Sequence, residues 1–286
     1  MTYSLVALDP DGSTLGAVTA SRYLAVGATV PGVAPGAGAL VTQAHTNTRF
    51  RAAGLGLLAG GSPAGEVVEA LVSADPGRDR RQLAVVDTGG GAAAWTGPAC
   101  SGAAGHLLRE GYAVAGNLLA APAVLHAMAD TFAVATGTLD ERLLLALAAG
   151  EEAGGDRRGR QSAALLVLGA EDPGVLRTPA RVDLRVDDAG DPVGELRRLL
   201  ELHRLVVEGP DEGSAVALTG DVADEVDVLL RAAGFGRGDL ADRLRDWAHR
   251  ENLEHRLLAE RVDVEVLQEL RVRSGALRAA GGPRQA

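Results

Sequence analysis

Thr2 is the sharpest candidate for chemistry in this chain. Methionine aminopeptidase removes Met1 before a residue as small as threonine, and Thr2 would then carry a hydroxyl and a free α-amine on one residue. That amine has an ordinary pKa of about 7.7–8.0, so much of it is neutral near pH 7.5 and able to take the proton of its own Oγ. The bland alternative is an ordinary terminus, because many chains begin Met-Thr.

Other polar residues sit where strands should end. Ser21 and Arg22 close the second strand expected beside Thr2. They could orient an amine or bind a substrate carboxylate, for which the planar arginine fork is suited, or form a structural salt bridge. Asn117, between Gly116 and Leu118, is a candidate oxyanion donor; a satisfied buried asparagine is the rival reading. Gln43 has a similar, weaker claim. The run from Gly154 to Ser162 is too charged for a core and too glycine-rich for a helix, so it reads as a loop entering a strand. Asp156, Arg157 and Gln161 within it are assigned to site lining or to a subunit interface, against the alternative of an exposed charged turn. His45, His106, His126, His203, His249 and His255 show no H-E-x-x-H spacing, and Cys100 is the single cysteine, so no metal and no disulfide framework is expected. A phosphate loop or dinucleotide fingerprint is absent, so no cofactor is expected either.

The elements that must position these residues follow from periodicity and turn chemistry. Residues 2–8 and 15–22 read as strands joined through Asp9-Pro10-Asp11-Gly12, too close together for anything but an antiparallel hairpin. A Gly/Pro-rich loop, 27–38, leads to a strand at 39–43 and helices at 50–58 and 63–74, the latter with Ser62 as N-cap and Pro63 at its first position. Strands at 82–87, 92–96 and 112–119 precede helices at 122–135 and 139–149, the second opened by the capping-box spacing Thr138-x-x-Glu141. Strands at 162–168 and 181–187 and a helix at 195–206 complete a first domain, residues 1–207. This order predicts an α/β fold of two stacked sheets with helices on the outer faces, a four-layer αββα sandwich. A linker at 208–214 precedes a small helical domain at 215–280, with helices at 222–233, 240–250 and 264–273. Residues 281–286 read as a frayed tail.

The opening Thr2-Tyr3-Ser4-Leu5-Val6-Ala7, turn and Leu15-Gly16-Ala17-Val18-Thr19-Ala20-Ser21-Arg22 resemble the first hairpin of N-terminal-nucleophile (Ntn) hydrolases, including proteasome β-type subunits. More specific are Ser21-Arg22-Tyr23-Leu24-Ala25-Val26-Gly27-Ala28, Thr42-Gln43-Ala44, Gly116-Asn117-Leu118-Leu119-Ala120, the Gly154–Ala164 run Gly-Gly-Asp-Arg-Arg-Gly-Arg-Gln-Ser-Ala-Ala, and Val182-Asp183-Leu184-Arg185-Val186-Asp187-Asp188. Together these resemble the DUF1028 family, Ntn-hydrolase-like proteins without an assigned substrate. The resemblance covers nearly all of the first domain and implies the αββα sandwich, but no reaction. Proteasome-like enzymes place an aspartate just before the Ser-Arg pair and a lysine further on. Ala20 stands at the first of those positions here, and the chain has no lysine at all. In the C-terminal part, Trp247-Ala248-His249-Arg250-Glu251-Asn252-Leu253-Glu254 and Val266-Leu267-Gln268-Glu269-Leu270 resemble the peptidoglycan-binding module that accompanies some members. A bundle core, or a docking surface, is the expectation for Trp247.

The net charge of -10 argues against nucleic-acid and anionic-membrane partners. With no long apolar run and no basic leader before the first strand, a cytoplasmic location is expected. A homodimer is expected because two-fold dimers are the commonest assembly. The leading expectation is an Ntn-type amidohydrolase acting on a small amide through Thr2 and Asn117, with Ser21, Arg22, Gln43, Asp156, Arg157 and Gln161 around the substrate. The rival is a non-catalytic ligand-binding or scaffold protein, which the missing aspartate and lysine favour. Peptidoglycan fragments are a further candidate partner.

Overall fold

A computed structural model describes residues 2–169 and 180–275. Met1 and the 281–286 tail lie outside the described residues. The chain divides into two compact units after Leu200.

The first unit begins with β1 (Thr2–Leu8) and β2 (Thr14–Ser21). Their turn closes with the Gly12 amide donating to Asp9 O at 2.8 Å, and Gly12 takes a φ of 73° that suits glycine. There follow β3 (Pro31–Ala34), β4 (Gly38–Ala44), α1 (Arg49–Ala59), α2 (Ala64–Ser73), β5 (Arg81–Asp87), β6 (Ala92–Thr96), β7 (Ala103–Arg109) and β8 (Tyr112–Leu119). Helices α3 (Ala123–Val134) and α4 (Leu139–Glu152) and strands β9 (Ser162–Gly169) and β10 (Ala180–Val186) come next, followed by helix α5 (Pro192–Val207), which carries the chain past Leu200 into the second unit. The strands form a six-stranded sheet, β10-β9-β2-β1-β8-β7, and a four-stranded sheet, β3-β4-β5-β6, antiparallel throughout.

Alternation along β1 sorts its side chains between two apolar layers. Tyr3, Leu5 and Ala7 pack with Met128, Phe132, Leu143 and Leu147 of α3 and α4. Val6 faces the other way and packs with Ala39, Val41, Ala84 and Val86 of the four-stranded sheet. The outer face of that sheet, through Leu40, Leu83 and Val85, is covered by Phe50, Leu58, Val67 and Leu71 of α1 and α2. The layers are therefore helices, sheet, sheet, helices.

In the second unit a two-residue ladder, β11 (Val216–Ala217) with β12 (Arg261–Val262), accompanies α6 (Gly220–Ala232), α7 (Leu240–Glu251) and α8 (Val264–Arg273). Trp247 lies at the centre of this core, wholly buried with Leu230, Leu253, Val266 and Leu270. It is a bundle-core residue and not an exposed platform. A buried ion pair, Arg256 Nε to Asp263 Oδ2 at 2.7 Å, fixes the turn before α8. Asp263 also caps that helix by accepting from Glu265 N at 3.0 Å. Among the described residues no helix is long and apolar enough to cross a membrane.

Several elements differ from expectation. Part of the Gly/Pro-rich 27–38 segment forms β3, at the edge of its sheet, where Pro31 needs no inward amide. β7 was not legible, because Ala-Ala-Gly-His-Leu-Leu-Arg lacks β-branched residues and lies half-exposed on a sheet edge. Ser62 is not the cap of α2. Pro63 occupies that position, and the Asp87 carboxylate at the end of β5 reaches across to accept from Ala64 N at 2.8 Å. The Thr138–Glu141 capping box on α4 is formed as expected.

Close packing of α4 on the hairpin depends on Gly16, where a Cβ would lie 2.5 Å from Leu143 Cδ1. Leu143 fills that notch and is fully buried. Leu143→Ala is therefore expected to cost about 2–5 kcal/mol, read as a lowered midpoint in urea unfolding.

Candidate functional site

Three strands end side by side at one edge of the inter-sheet layer. Thr2 of β1 pairs with Asn117 of β8, and the neighbouring pair Tyr3–Ala20 sets Thr2 opposite Ser21 of β2. Cross-strand partners share a face, so Ser21, Thr2 and Asn117 form a row directed toward the four-stranded sheet. All three are buried, with Thr2 the most accessible at 6% exposed. Thr2 Oγ1 donates to Ser21 Oγ at 3.3 Å.

Across the layer, Gln43 and Gln82 are paired residues of β4 and β5 and are fully buried. Gln82 Nε2 donates to Gly116 O at 2.8 Å and Gly105 O at 3.0 Å, and also lies 2.9 Å from Thr96 Oγ1. Gln82 Oε1 accepts from Asn117 Nδ2 and from Gln43 Nε2, each at 2.8 Å. Gln43 Oε1 accepts from Ser4 Oγ at 2.7 Å, while its amide nitrogen lies 3.4 Å from Thr2 O. Thr96 Oγ1 continues the network to His106 Nδ1 at 2.9 Å. Desolvation depresses the pKa of that imidazole.

The loop after α4 closes the end of β1. Asp156 forms an isolated antiparallel bridge with Leu119, whose other flank is occupied by Ala103 of β7. Across the register shift that β8 makes between Gly116 and Leu119, the slot beside Leu119 lies about one residue before Thr2 on the line of β1, roughly 3–4 Å further along the strand. From that slot the Asp156 carboxylate reaches the β2 side, where Oδ2 accepts from Arg22 N at 2.7 Å. Asp156 thus spans β8 and β2 directly off the N-terminal end of β1. Its Oδ1 accepts from Arg158 N at 2.8 Å, and Arg158 Nη2 pairs with Oδ2 at 3.1 Å.

The remaining residues singled out from the sequence lie further from the Thr2 row. Arg22, one residue past Ser21, is exposed and donates through Nη1 to Arg160 O at 2.7 Å, so it serves the loop and not the inter-sheet face. Arg157 is exposed; its amide lies 3.4 Å from Leu118 O. Gln161 donates to Asp188 Oδ1 at 3.1 Å. On the helix side of the sheet, the Tyr3 hydroxyl donates to Glu151, which also accepts from Arg160 Nε at 2.6 Å. Burial, reinforced by the Glu151 charge, drives the Tyr3 pKa far upward, so the phenol stays a donor. Gln82, Ser162 and Glu151 were not anticipated. Ser162 pairs with Ser21, accepts from Val26 N at 3.1 Å and donates to Tyr23 O at 2.5 Å, fixing the segment after β2. Its place after a charged run at a strand entrance was the one sequence signal for it.

A family model described as "Family of unknown function (DUF1028)" matches residues 2–196. The chain belongs to this family. A crystal structure of a DUF1028 protein from Silicibacter pomeroyi is 33% identical, covers 78% of this chain and 92% of that one, and superposes with a TM-score of 0.64. Residues 206–270 match a second family model, described as "Putative peptidoglycan binding domain". No curated protein matches the chain.

Two of the three left-handed non-glycine residues described in the DUF1028 unit lie at the same edge, the third being Ala25 beyond β2 with a φ of 53°. Leu118, directly after Asn117, and Ala44, directly after Gln43, take φ values of 51° and 69°. Left-handed backbone at such residues costs on the order of 1 kcal/mol each and persists only where the surroundings enforce it. Here Leu118 N donates to Ser101 O at 2.9 Å and His45 N to Arg80 O at 3.1 Å. Both turns are held.

The ends of β4 and β5 are tied by Asp75. It accepts from Arg81 Nε at 2.7 Å, Gly77 N at 2.8 Å and Asn47 Nδ2 at 3.2 Å, while Arg81 Nη1 donates to His45 O at 2.5 Å. The arginine bond, with help from the others, lowers the Asp75 pKa from 3.8 to about 2. A depressed carboxylate pKa contributes stability above the unfolded-state value and loses it as pH falls toward the folded-state value. Asp75→Asn is therefore expected to be less stable than wild type at neutral pH, with the gap narrowing between about pH 5 and pH 2, as followed by urea unfolding at each pH.

Proposed function

We propose that the first unit is a cofactor-independent amidohydrolase of the Ntn type, with Thr2 as nucleophile. The observation that carries this reading is the row Ser21–Thr2–Asn117, in register on one face, with a carboxylate standing off the end of β1. Removal of Met1 frees the α-amine of Thr2 on the side where Asp156 lies. Asp156 then holds that amine, the task for which this chain has neither the strand-end aspartate nor the lysine of proteasome-like enzymes. Ser21, bonded to the Thr2 hydroxyl, keeps Oγ oriented.

In the reaction the Thr2 Oγ–carbon bond forms as the hydroxyl proton passes to the α-amine. The carbonyl oxygen takes the negative charge, and Asn117 Nδ2, whose first N–H is held by Gln82, supplies its second to that oxyanion. Collapse of the tetrahedral species breaks the C–N bond, and the proton on the α-amine goes to the leaving nitrogen. Water then attacks the ester, with the same amine as base, and regenerates Thr2. The substrate is a small amide.

Intact mass of protein purified with its native terminus should show Met1 removed, and a β-lactone probe should label Thr2. Thr2→Ala should abolish labelling. Asp156→Asn should slow it by roughly 10-fold or more, because the carboxylate no longer holds the amine poised to take the Oγ proton. Retained Met1, or a wild-type protein that ignores the probe, would sink the hydrolase reading and leave the ligand-binding scaffold.

For the second unit we propose peptidoglycan fragments as ligand, on the strength of the family match over residues 206–270. Full-length protein is expected to sediment with insoluble peptidoglycan, and a variant ending at residue 207 to remain in the supernatant; equal behaviour of the two excludes this role.

A further inference from the structure

We propose that Gln82, on the sheet opposite the nucleophile, is the positioning residue that sets the polarity of the Thr2 site. The proposal rests on the hydrolase reading above and adds to it the device that makes Asn117 a donor.

A side-chain amide can be turned end for end with almost no change in shape, so its polarity must be imposed by neighbours that have only one option. Gln82 meets two such neighbours. Gly116 O and Gly105 O, at 2.8 and 3.0 Å, are backbone carbonyls and can only accept. The end of Gln82 facing them must be its NH2, and the opposite end must be its carbonyl. That carbonyl oxygen in turn faces two further amides, and each must present its own NH2 to it.

The consequence spreads outward. Asn117 is fixed with Nδ2 toward Gln82, and its second N–H is the one the proposed reaction assigns to the oxyanion. Gln43 is fixed with Nε2 inward and Oε1 toward Ser4, whose hydroxyl must then donate to Gln43 and accept from Thr19 at 2.8 Å. The same Gln43 nitrogen faces the carbonyl of Thr2 at 3.4 Å. Burial makes the arrangement obligatory, since Gln43, Gln82, Ser4 and Thr19 have no exposed surface and Asn117 has 2%. Water cannot stand in for a misaligned partner. Were the Asn117 amide reversed, Oδ1 would face a developing oxyanion and repel it.

The test is the rate of β-lactone labelling of Thr2 in four proteins: wild type, Gln82→Met, Asn117→Ala and the double variant. Gln82→Met keeps the volume and removes the polarity, and is expected to slow labelling on the order of 10–100-fold. On the Asn117→Ala background the same change should add little, because Gln82 acts through Asn117. Gln82→Glu supplies a readout that a packing role would not move. Protonated, it can donate to Gly116 O and still accept from Asn117; ionised, it faces the two carbonyls with negative charge. Its labelling relative to wild type should therefore be near normal at low pH and fall as pH rises, with the carboxyl pKa raised by burial.

Labelling of Gln82→Met at the wild-type rate would overturn the proposal. So would full additivity in the double variant, or a flat pH ratio for Gln82→Glu. If Gln82→Met fails to fold, judged by its circular dichroism and melting curve, the Gln82→Glu ratio and its cycle with Asn117→Ala decide alone. A wild-type protein that resists the probe defeats the hydrolase reading itself, an outcome distinct from labelled wild type with indifferent Gln82 variants.

Discussion

Two sheets packed face to face ordinarily meet through apolar side chains, and along most of this interface they do: Val6, Ala17, Val41, Val86 and Ala115 fill the layer. At one end the layer turns polar, and everything about the candidate site depends on how that polar patch is closed. Each buried group left without a partner would cost about 1–3 kcal/mol. Ser4, Thr19, Gln43, Gln82 and Asn117 avoid this by bonding one another and the backbone carbonyls of β7 and β8. The patch holds together only in the native register, because a one-residue slip of a strand within its sheet would send its side chains to the wrong face.

The register explains why the polar patch and the start of the chain coincide. β1 lies in the middle of its sheet, flanked by β2 and β8, so its first residue is caught between two neighbours on the sheet and a third layer above. A strand end in this position is unusually well fixed. Tyr3 contributes from the opposite face, where its hydroxyl is clamped to Glu151 and, through it, to Arg160 of the closing loop. Successive residues of one strand thus anchor to different layers: Thr2 and Ser4 toward the second sheet, Tyr3 toward the helices.

The sequence disclosed those parts of this arrangement that are carried by local pattern. Strands with alternating apolar residues, the tight hairpin turn and the Thr138–Glu141 box were readable because each obeys a short-range rule. Asn117 and Gln43 could be singled out as polar residues inside apolar strands. Gln82 was harder: it stands at the entrance of β5 after several charged residues, where a glutamine reads as surface, and only the approach of the other sheet buries it. The cap of α2 was misread for a related reason, since Asp87 is a long-range partner that no window around Ser62 contains. Asp156 was recognisable as a loop residue of interest, but its place beside Leu119 is a property of the folded sheet.

Asp156 also acts as a stop. Because it fills the ladder position beside Leu119 and bonds the amide of Arg22, the sheet offers no continuous groove into which a longer N-terminal segment could be added as strand. A leader or affinity tag fused ahead of Thr2 has to bend out of the sheet within about one residue or displace the carboxylate and the loop that carries it. Recombinant versions intended to report on the native terminus are therefore better built with their handles at the other end of the chain.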